Sequence, residues 1–272
     1  VNAGSTSYFN NVINPNNFAN NVTGDLSSNV SYSKTFAGTP FSMSANLRHS
    51  QSVQTGEVRL DLPTIGINMN RQSPFQNVKF EPLKTLNIAW NFNLQNSITN
   101  RINTFGQATQ GDGPQTIPFN SENLGLLLRN GNNGARNNIP LSSNFSLFKY
   151  FTGTASANYT ELWYMQRFNY SYNSTTDRVE QVKEDGFNRV GFYNTSFAMN
   201  TNFYGFYNFK PSGELQTIRH HMAPTVGFNF NPDFSDPAYG YYQEVQADKS
   251  GRIARFSRHQ GLIFGDAPLG ES

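Results

Sequence analysis

No cysteine occurs anywhere in the 272 residues, so neither a disulfide framework nor a thiolate metal site is open to this chain. A run of about 18 apolar residues is also missing, which excludes a transmembrane helix. Charge is scarce: 14% of residues are Asp, Glu, Lys or Arg, against about 25% in soluble domains. The 20 basic and 18 acidic residues are spread along the whole length and leave a net charge of +2. With no basic arm or stripe, nucleic acid is set aside as a partner. No charged or apolar leader region precedes the first segments, so the chain reads as mature or as a fragment.

What is present is neutral polarity and aromatic surface. Mean hydropathy is −0.57 despite the low charge, so the hydrophilic character comes from Asn, Ser, Thr, Gln and Gly, which suit a wet lumen. Twenty-four Phe and 13 Tyr supply the surface that lipid-facing bands and interfacial girdles use.

These two classes alternate most clearly over residues 193–209. Tyr193, Phe197, Met199, Phe203, Tyr207 and Phe209 share one parity, and Asn194, Ser196, Asn200, Asn202 and Asn208 hold the other. Tyr204 and Phe206, flanking Gly205, break the pattern. Successive side chains of a strand point to opposite faces, so this segment is apolar on one side and neutral-polar on the other. It is also far longer than a soluble strand of about 5–6 residues, which is how a transmembrane β-strand reads.

Elsewhere the pattern recurs. Residues 1–24, rich in Asn and Ser, read as a loop or opening segment. Leu26, Val30, Tyr32 and Phe36, then Phe41, Met43, Ala45 and Leu47, predict a hairpin turning near residues 37–40. From Val58 to Met69 the apolar parity changes at Pro63, which predicts a bulge or break. Leu86, Ile88, Trp90, Phe92 and Leu94 alternate cleanly with Asn87, Asn91 and Asn93. Long loops are expected near 101–134, 173–187, where charges cluster from Asp177 to Asp185, and 231–252. Period two resumes from Ile139 to Leu147 and through 154–172. A turn is expected at Lys210–Gly213, with strands at 218–230 and 253–264. The fold class is therefore all-β: an antiparallel meander of about nine or ten long strands over residues 25–272, part of a transmembrane outer-membrane β-barrel.

Catalytic chemistry is not visible. His220 and His221 are neighbours on a strand, so they point apart and do not share a metal. Asp233 and Asp236 fit no calcium-loop spacing. Gly111-Asp-Gly lacks the Lys and Ser/Thr of a phosphate loop, and no Gly-x-Ser-x-Gly elbow occurs. The sequons at Asn158 and Asn169 fall inside expected strands. The reading is a non-enzyme without cofactor or metal. Arg48, Asn87, Asn91, Asn93, Asn194, Asn200, Asn202 and Arg219 are the candidates for a lumen-facing substrate path. Trp90, Phe92, Phe197, Met199, Phe203, Val226 and Phe228 are the candidates for lipid contact.

Two segments, Asp61-Leu-Pro-Thr-Ile-Gly-Ile-Asn-Met-Asn-Arg-Gln-Ser-Pro-Phe75 and Ile218-Arg-His-His-Met-Ala-Pro-Thr-Val-Gly-Phe-Asn-Phe-Asn-Pro-Asp-Phe234, resemble the LptD family, and the Bacteroidota-type members most. The resemblance implies an outer-membrane barrel of a Gram-negative bacterium that takes lipopolysaccharide from periplasmic bridge proteins and inserts it into the outer leaflet. It also implies a saccharide path through the lumen, a lateral seam for the lipid, and an LptE-like lipoprotein plug. No periplasmic jelly roll is recognisable and the strands are too few, so the chain resembles a central barrel portion. The absence of cysteine departs from the proteobacterial pattern, where disulfides tie the periplasmic domain to the barrel. Two other readings stay open: another outer-membrane barrel, such as a TonB-dependent transporter or secretion translocon, and a secreted β-rich glycan-binding or adhesin module.

Overall fold

Segments in which apolar and polar residues alternate become strands in the computed structural model, which describes residues 25–102, 115–209 and 217–270. The strands are β1 (Asp25–Thr35), β2 (Phe41–Ser52), β3 (Val58–Gln72), β4 (Asn87–Thr99), β5 (Arg101–Ile102), β6 (Gln115–Thr116), β7 (Asn132–Leu147), β8 (Phe151–Asn173), β9 (Arg178–Thr201), β10 (Phe203–Asn208), β11 (Thr217–Met222), β12 (Thr225–Phe230), β13 (Tyr242–Gln246) and β14 (Ile253–Ser257). Eight of them form one sheet in the order β1-β2-β3-β4-β7-β8-β9-β12, and every pair is antiparallel. The all-β meander is as expected, with eight strands in the sheet rather than nine or ten.

The β9–β12 and β10–β11 ladders keep one register, Thr225 facing Asn200 and Met222 facing Phe203. They are one long hairpin interrupted where Pro224 cannot donate to the ladder, so the strand expected over 193–209 is broken at Asn202. The bulge expected at Pro63 is present. Register shifts between Asp61 and Thr64 against β4, and between Asn46 and Arg48 on β2 against β3.

Three expected loops are corrected in whole or part. Arg178–Asp185 is strand, not loop. Its charges are carried by cross-strand partners: Arg167 Nε donates to Glu184 Oε2 at 2.7 Å, as does Asn169 Nδ2 at 2.7 Å. β7 begins at Asn132, inside the run read as loop, and a short helix Leu124–Arg129 precedes it. Residues 231–252 carry β13 and a 3-10 turn at Pro237–Tyr239. The last strand, β14, ends at Ser257 and pairs with β13, not with the main sheet. The expectations for 1–24, for Gly111-Asp-Gly and for the Lys210–Gly213 turn lie outside the described residues.

The sheet has two rims. The first holds the connections 36–40, 73–86 and 148–150 and the outlying β10–β11 hairpin, and the second holds 53–57, the described residues between β4 and β7, 174–177 and the chain after Phe230. β8 and β9 outrun their neighbours at the second rim, and residues 231–270 fold over one face of that extension. Leu162, Tyr164, Phe168, Tyr170 and Val190 are buried there against Phe234, Leu262 and Ala267. This cap also satisfies the free edges of the long hairpin. Phe168 N–H donates to Arg258 O at 2.8 Å where β7 has ended, and the Tyr241 hydroxyl bridges the N–H and C=O of Gly191 at 2.9 and 3.0 Å. Buried edge groups need such partners.

Candidate functional site: two faces of one sheet

Residues directly opposite in an antiparallel pair point to the same face, so the registers assign a face to each strand residue. One face collects Val30, Tyr32, Met43, Ala45, Ile65, Ile67, Trp90, Phe92, Ile139, Tyr159, Phe197, Met199, Val226 and Phe228. The other collects Ser31, Ser44, Asn46, Arg48, Gly66, Asn91, Asn93, Asn138, Ser156, Asn158, Asn194, Ser196, Asn200 and Asn229. The structure therefore brings six polar candidates, Arg48, Asn87, Asn91, Asn93, Asn194 and Asn200, onto one face. Asn91 lies opposite Asn138, which accepts a 2.9 Å bond from Thr160 Oγ1, and Asn194 lies opposite Asn158.

Their surroundings differ. Asn87 is committed to the β3–β4 connection, accepting from Ser73 Oγ at 2.7 Å and donating to Thr85 O at 2.8 Å. Asn202 and Arg219 lie beyond the main sheet, where Asn202 Oδ1 is 2.9 Å from His221 Nε2 and the Arg219 guanidinium stacks 4.7 Å over Tyr204. The structure does not gather these two with the other six.

On the apolar face, Phe197 lies opposite Phe228 and Met199 opposite Val226, while Phe203 lies opposite Met222 on the outlying hairpin. Large apolar side chains stay uncovered here: Val226 is 69% exposed, Phe228 65%, Phe203 50% and Phe197 40%. Trp90, Phe92, Trp163 and Phe187 form a row of rings with successive centroids 6.1, 6.2 and 6.3 Å apart. Small Ala135 on the intervening β7 leaves room for Phe92 to meet Trp163. At this level the apolar band ends. Glu161 accepts from Arg189 Nη2 at 2.8 Å and from the Tyr159 hydroxyl at 2.6 Å. From Phe151 at the first rim to Trp163 the strand advances about 40 Å.

Sequence parity missed several residues of the polar face. Arg59 and Asp61, ion-paired at 3.0 Å, and Arg136, opposite Asn93, were not among the candidates. Gln166 shares the parity of Asn158 and Thr160 on β8 but sits among the aromatic residues Tyr164, Phe168 and Tyr170, so that parity reads as apolar there. Carrying the parity across the Pro63 bulge would have found the first two.

In the cap, burial is the main force on ionisable groups. His259, 4% exposed and stacked 5.5 Å from Tyr164, has its pKa pushed down to about 4 by burial and by the nearby cations Arg167 and Arg258. Its Nδ1 has no hydrogen-bond partner among the described residues, as suits a neutral ring. Burial raises the Asp266 carboxyl and also lifts the Tyr242 phenol to about 12.

Among comparisons with known proteins, the family model described as LptD protein matches residues 1–272. No curated protein and no solved structure matches the chain.

Proposed function

Because the chain belongs to the LptD protein family, we propose that it forms part of the wall of an outer-membrane barrel that inserts lipopolysaccharide into the outer leaflet. The family is one of outer-membrane proteins of lipopolysaccharide transport in Gram-negative bacteria. The carrying observation is the division of one continuous sheet into an uncovered apolar face and a face of neutral amides and hydroxyls. A soluble sheet covers its apolar face, because large exposed patches of this kind mark interfaces or membranes. Here the bilayer covers it.

Dimensions support the same reading. Tilted near 40°, as barrel strands are, the stretch from Phe151 to Trp163 rises about 30 Å, the thickness of a hydrocarbon core. Aromatic residues mark both ends. Trp163 and Phe187 stand at one, and Phe148 and Tyr150 stand at the other, 83% and 78% exposed in a three-residue turn. Phe148 and Lys149 have φ of 49° and 65°, a left-handed conformation that disfavours such residues. Anchoring an aromatic ring at the lipid–water boundary offsets that strain.

The long β4–β7 connection and the cap of residues 231–270 both sit at the second rim, and they orient the wall, since barrels of this class carry their longest loops outside. The first rim is periplasmic and the second, with its cap, external. β1 and β12 remain open edges, and unpaired strand edges do not persist in hydrocarbon. Further strands therefore complete the wall in the assembled protein. Periplasmic bridge proteins deliver the lipid to it, and an LptE-like lipoprotein sits against the polar face.

The test is depletion of the parent protein in its native host, with fractionation of this segment. The reading expects outer-membrane location and lipopolysaccharide trapped inside the envelope. Outer-membrane location without trapped lipid would move the function to another transporter or translocon, and a soluble secreted product would end the barrel reading.

A further inference from the structure

Two cavities open side by side on the polar face near the external rim, and Arg59 lines both. The first, of about 630 Å³, is an open trough between Arg48, Arg59 and Asp61 on one side and Asn46, Thr64 and Gln95 on the other. The second, of about 320 Å³, is narrower and is roofed by Gly261, Leu262 and Ile263 of the cap. It lies at the small end of the about 300–1,000 Å³ range of small-ligand sites.

The narrow cavity has the features of a built site. Gln166 lines it and is 5% exposed, yet its side-chain amide makes no hydrogen bond to any described residue. Its amide is open to the cavity and available to bond a group that enters it. Gln166 is also held in place, because it shares the parity of Tyr164, Phe168 and Tyr170 on β8, the face that packs under the cap. The roof is tied to the sheet by Asn132, whose Nδ2 donates to Gly261 O at 2.9 Å and whose Oδ1 accepts from Ile263 N–H at 3.0 Å. Ser97 and Thr99 add hydroxyls to the walls, and the apolar floor is Phe168.

Amides, hydroxyls and an apolar floor are the groups that bind a sugar ring. The open trough adds cations. Arg48 forms no ion pair among the described residues, and Arg59 engages Asp61 through Nε, which leaves its terminal nitrogens to donate. Guanidinium groups suit phosphate. By strand pairing, Gln95 lies level with Tyr164, one residue past the Trp163 girdle, so the trough begins at the outer lipid–water boundary.

We propose that these two cavities form a binding site for a phosphorylated oligosaccharide, with a sugar ring held at Gln166 under the cap and a phosphate held between Arg48 and Arg59. The proposal rests on the lipopolysaccharide-transport reading for its source of ligand, and it assigns the saccharide a defined resting place at the external mouth of the path.

Isothermal titration of the detergent-solubilised parent protein tests it. The probe is core oligosaccharide freed from its lipid by mild acid, used before and after phosphatase treatment. Wild-type protein is expected to bind both and to favour the phosphorylated form. Gln166→Leu weakens both by about tenfold, the loss of one buried hydrogen bond. Arg48→Gln and Arg59→Gln remove the preference for phosphate while the dephosphorylated probe still binds. Gln166→Glu keeps the side-chain shape and provides a second variant if the Leu protein fails to fold; its negative charge weakens the phosphorylated probe more than the other. Absence of saturable binding to wild type, or equal binding by wild type and all variants, overturns the site. Trapped lipopolysaccharide on depletion together with no saccharide binding sinks the site and leaves the transport reading intact. Gln166-dependent binding without trapped lipid does the reverse.

Discussion

An arginine placed on the apolar face has an effect that depends on depth, and the registers give the depth. Gly191 lies opposite Glu161, at the charged margin of the apolar band. Phe197 is six positions further along β9, about 20 Å along the strand and about 15 Å along the membrane normal at a tilt near 40°. In a band about 25 Å tall this is close to the midplane, where Arg costs about 2–4 kcal/mol. Phe197→Arg should therefore lower the folded-to-unfolded ratio in lipid vesicles by roughly thirtyfold to several-hundredfold. Asn194→Arg, on the opposite face and beside Asn158, should change it by less than about threefold, and Phe203→Arg, near the far boundary, should cost about 0–1 kcal/mol. The assay is equilibrium folding of the parent protein into vesicles, read by protease resistance and heat-dependent gel migration. Equal losses at Asn194 and Phe197, or no loss at Phe197, would refute the face assignment.

Three other perturbations probe the packing. Phe234, 2% exposed among Phe192, Tyr193 and Tyr239, anchors the cap; Phe234→Ala should destabilise it by about 3–5 kcal/mol, giving protease cuts within 231–270 while β8 and β9 stay protected. A Cβ on Gly153 would come within 2.7 Å of the Phe145 ring, so Gly153→Ala should cost about 1–3 kcal/mol, and Phe145→Ala in the same protein should relieve most of it, a non-additivity read by a double-mutant cycle. The neutral His259 makes the cap acid-sensitive. Its pKa is depressed from 6.5 to about 4, so the open cap binds the proton more readily and the closed cap loses stability as pH falls from about 6.5 to 4. Asp266, with its raised pKa, opposes this just above the ordinary carboxylate range. The His259 effect reaches about 3 kcal/mol if the ring is fully hydrated in the open form, and hydrogen exchange over 253–267 should rise across that window in the wild type and flatten in His259→Gln.

Strands whose own side chains alternate were legible. β1, β2 and β4 alternate along their length, and the parity change at Pro63 located a bulge because a residue count of two against one is written into the sequence itself. Strands defined by their partners were not legible. Arg178–Asp185 has no apolar alternation, and it is a strand because Phe168, Tyr170 and Tyr172 of β8 present a preformed edge to it and Arg167 and Asn169 bind Glu184. Asn132–Asn138 is too polar to announce a strand alone, but it fills the space between β4 and β8. The cap depends on contacts far apart in sequence, such as the Tyr164 hydroxyl donating to Gly265 O at 2.8 Å, which no local pattern encodes. For the same reason the polar face was found in part: parity located Asn91, Asn93 and Asn194, while Gln166 is set apart by the roof above it, which local pattern does not encode.

The central claim is that adjacent residues of one strand face different solvents, and the 272 residues contain no cysteine to interfere with a direct measurement. Single cysteines in the parent protein at Val226, Gly227, Phe228 and Asn229, each spin-labelled in lipid vesicles, report collision with dissolved oxygen, which concentrates in lipid, and with a water-soluble nickel chelate. The account predicts that labels at 226 and 228 meet oxygen and exclude nickel, and that labels at 227 and 229 do the opposite. Four labels that all meet the nickel chelate, or that show no alternation, would contradict it.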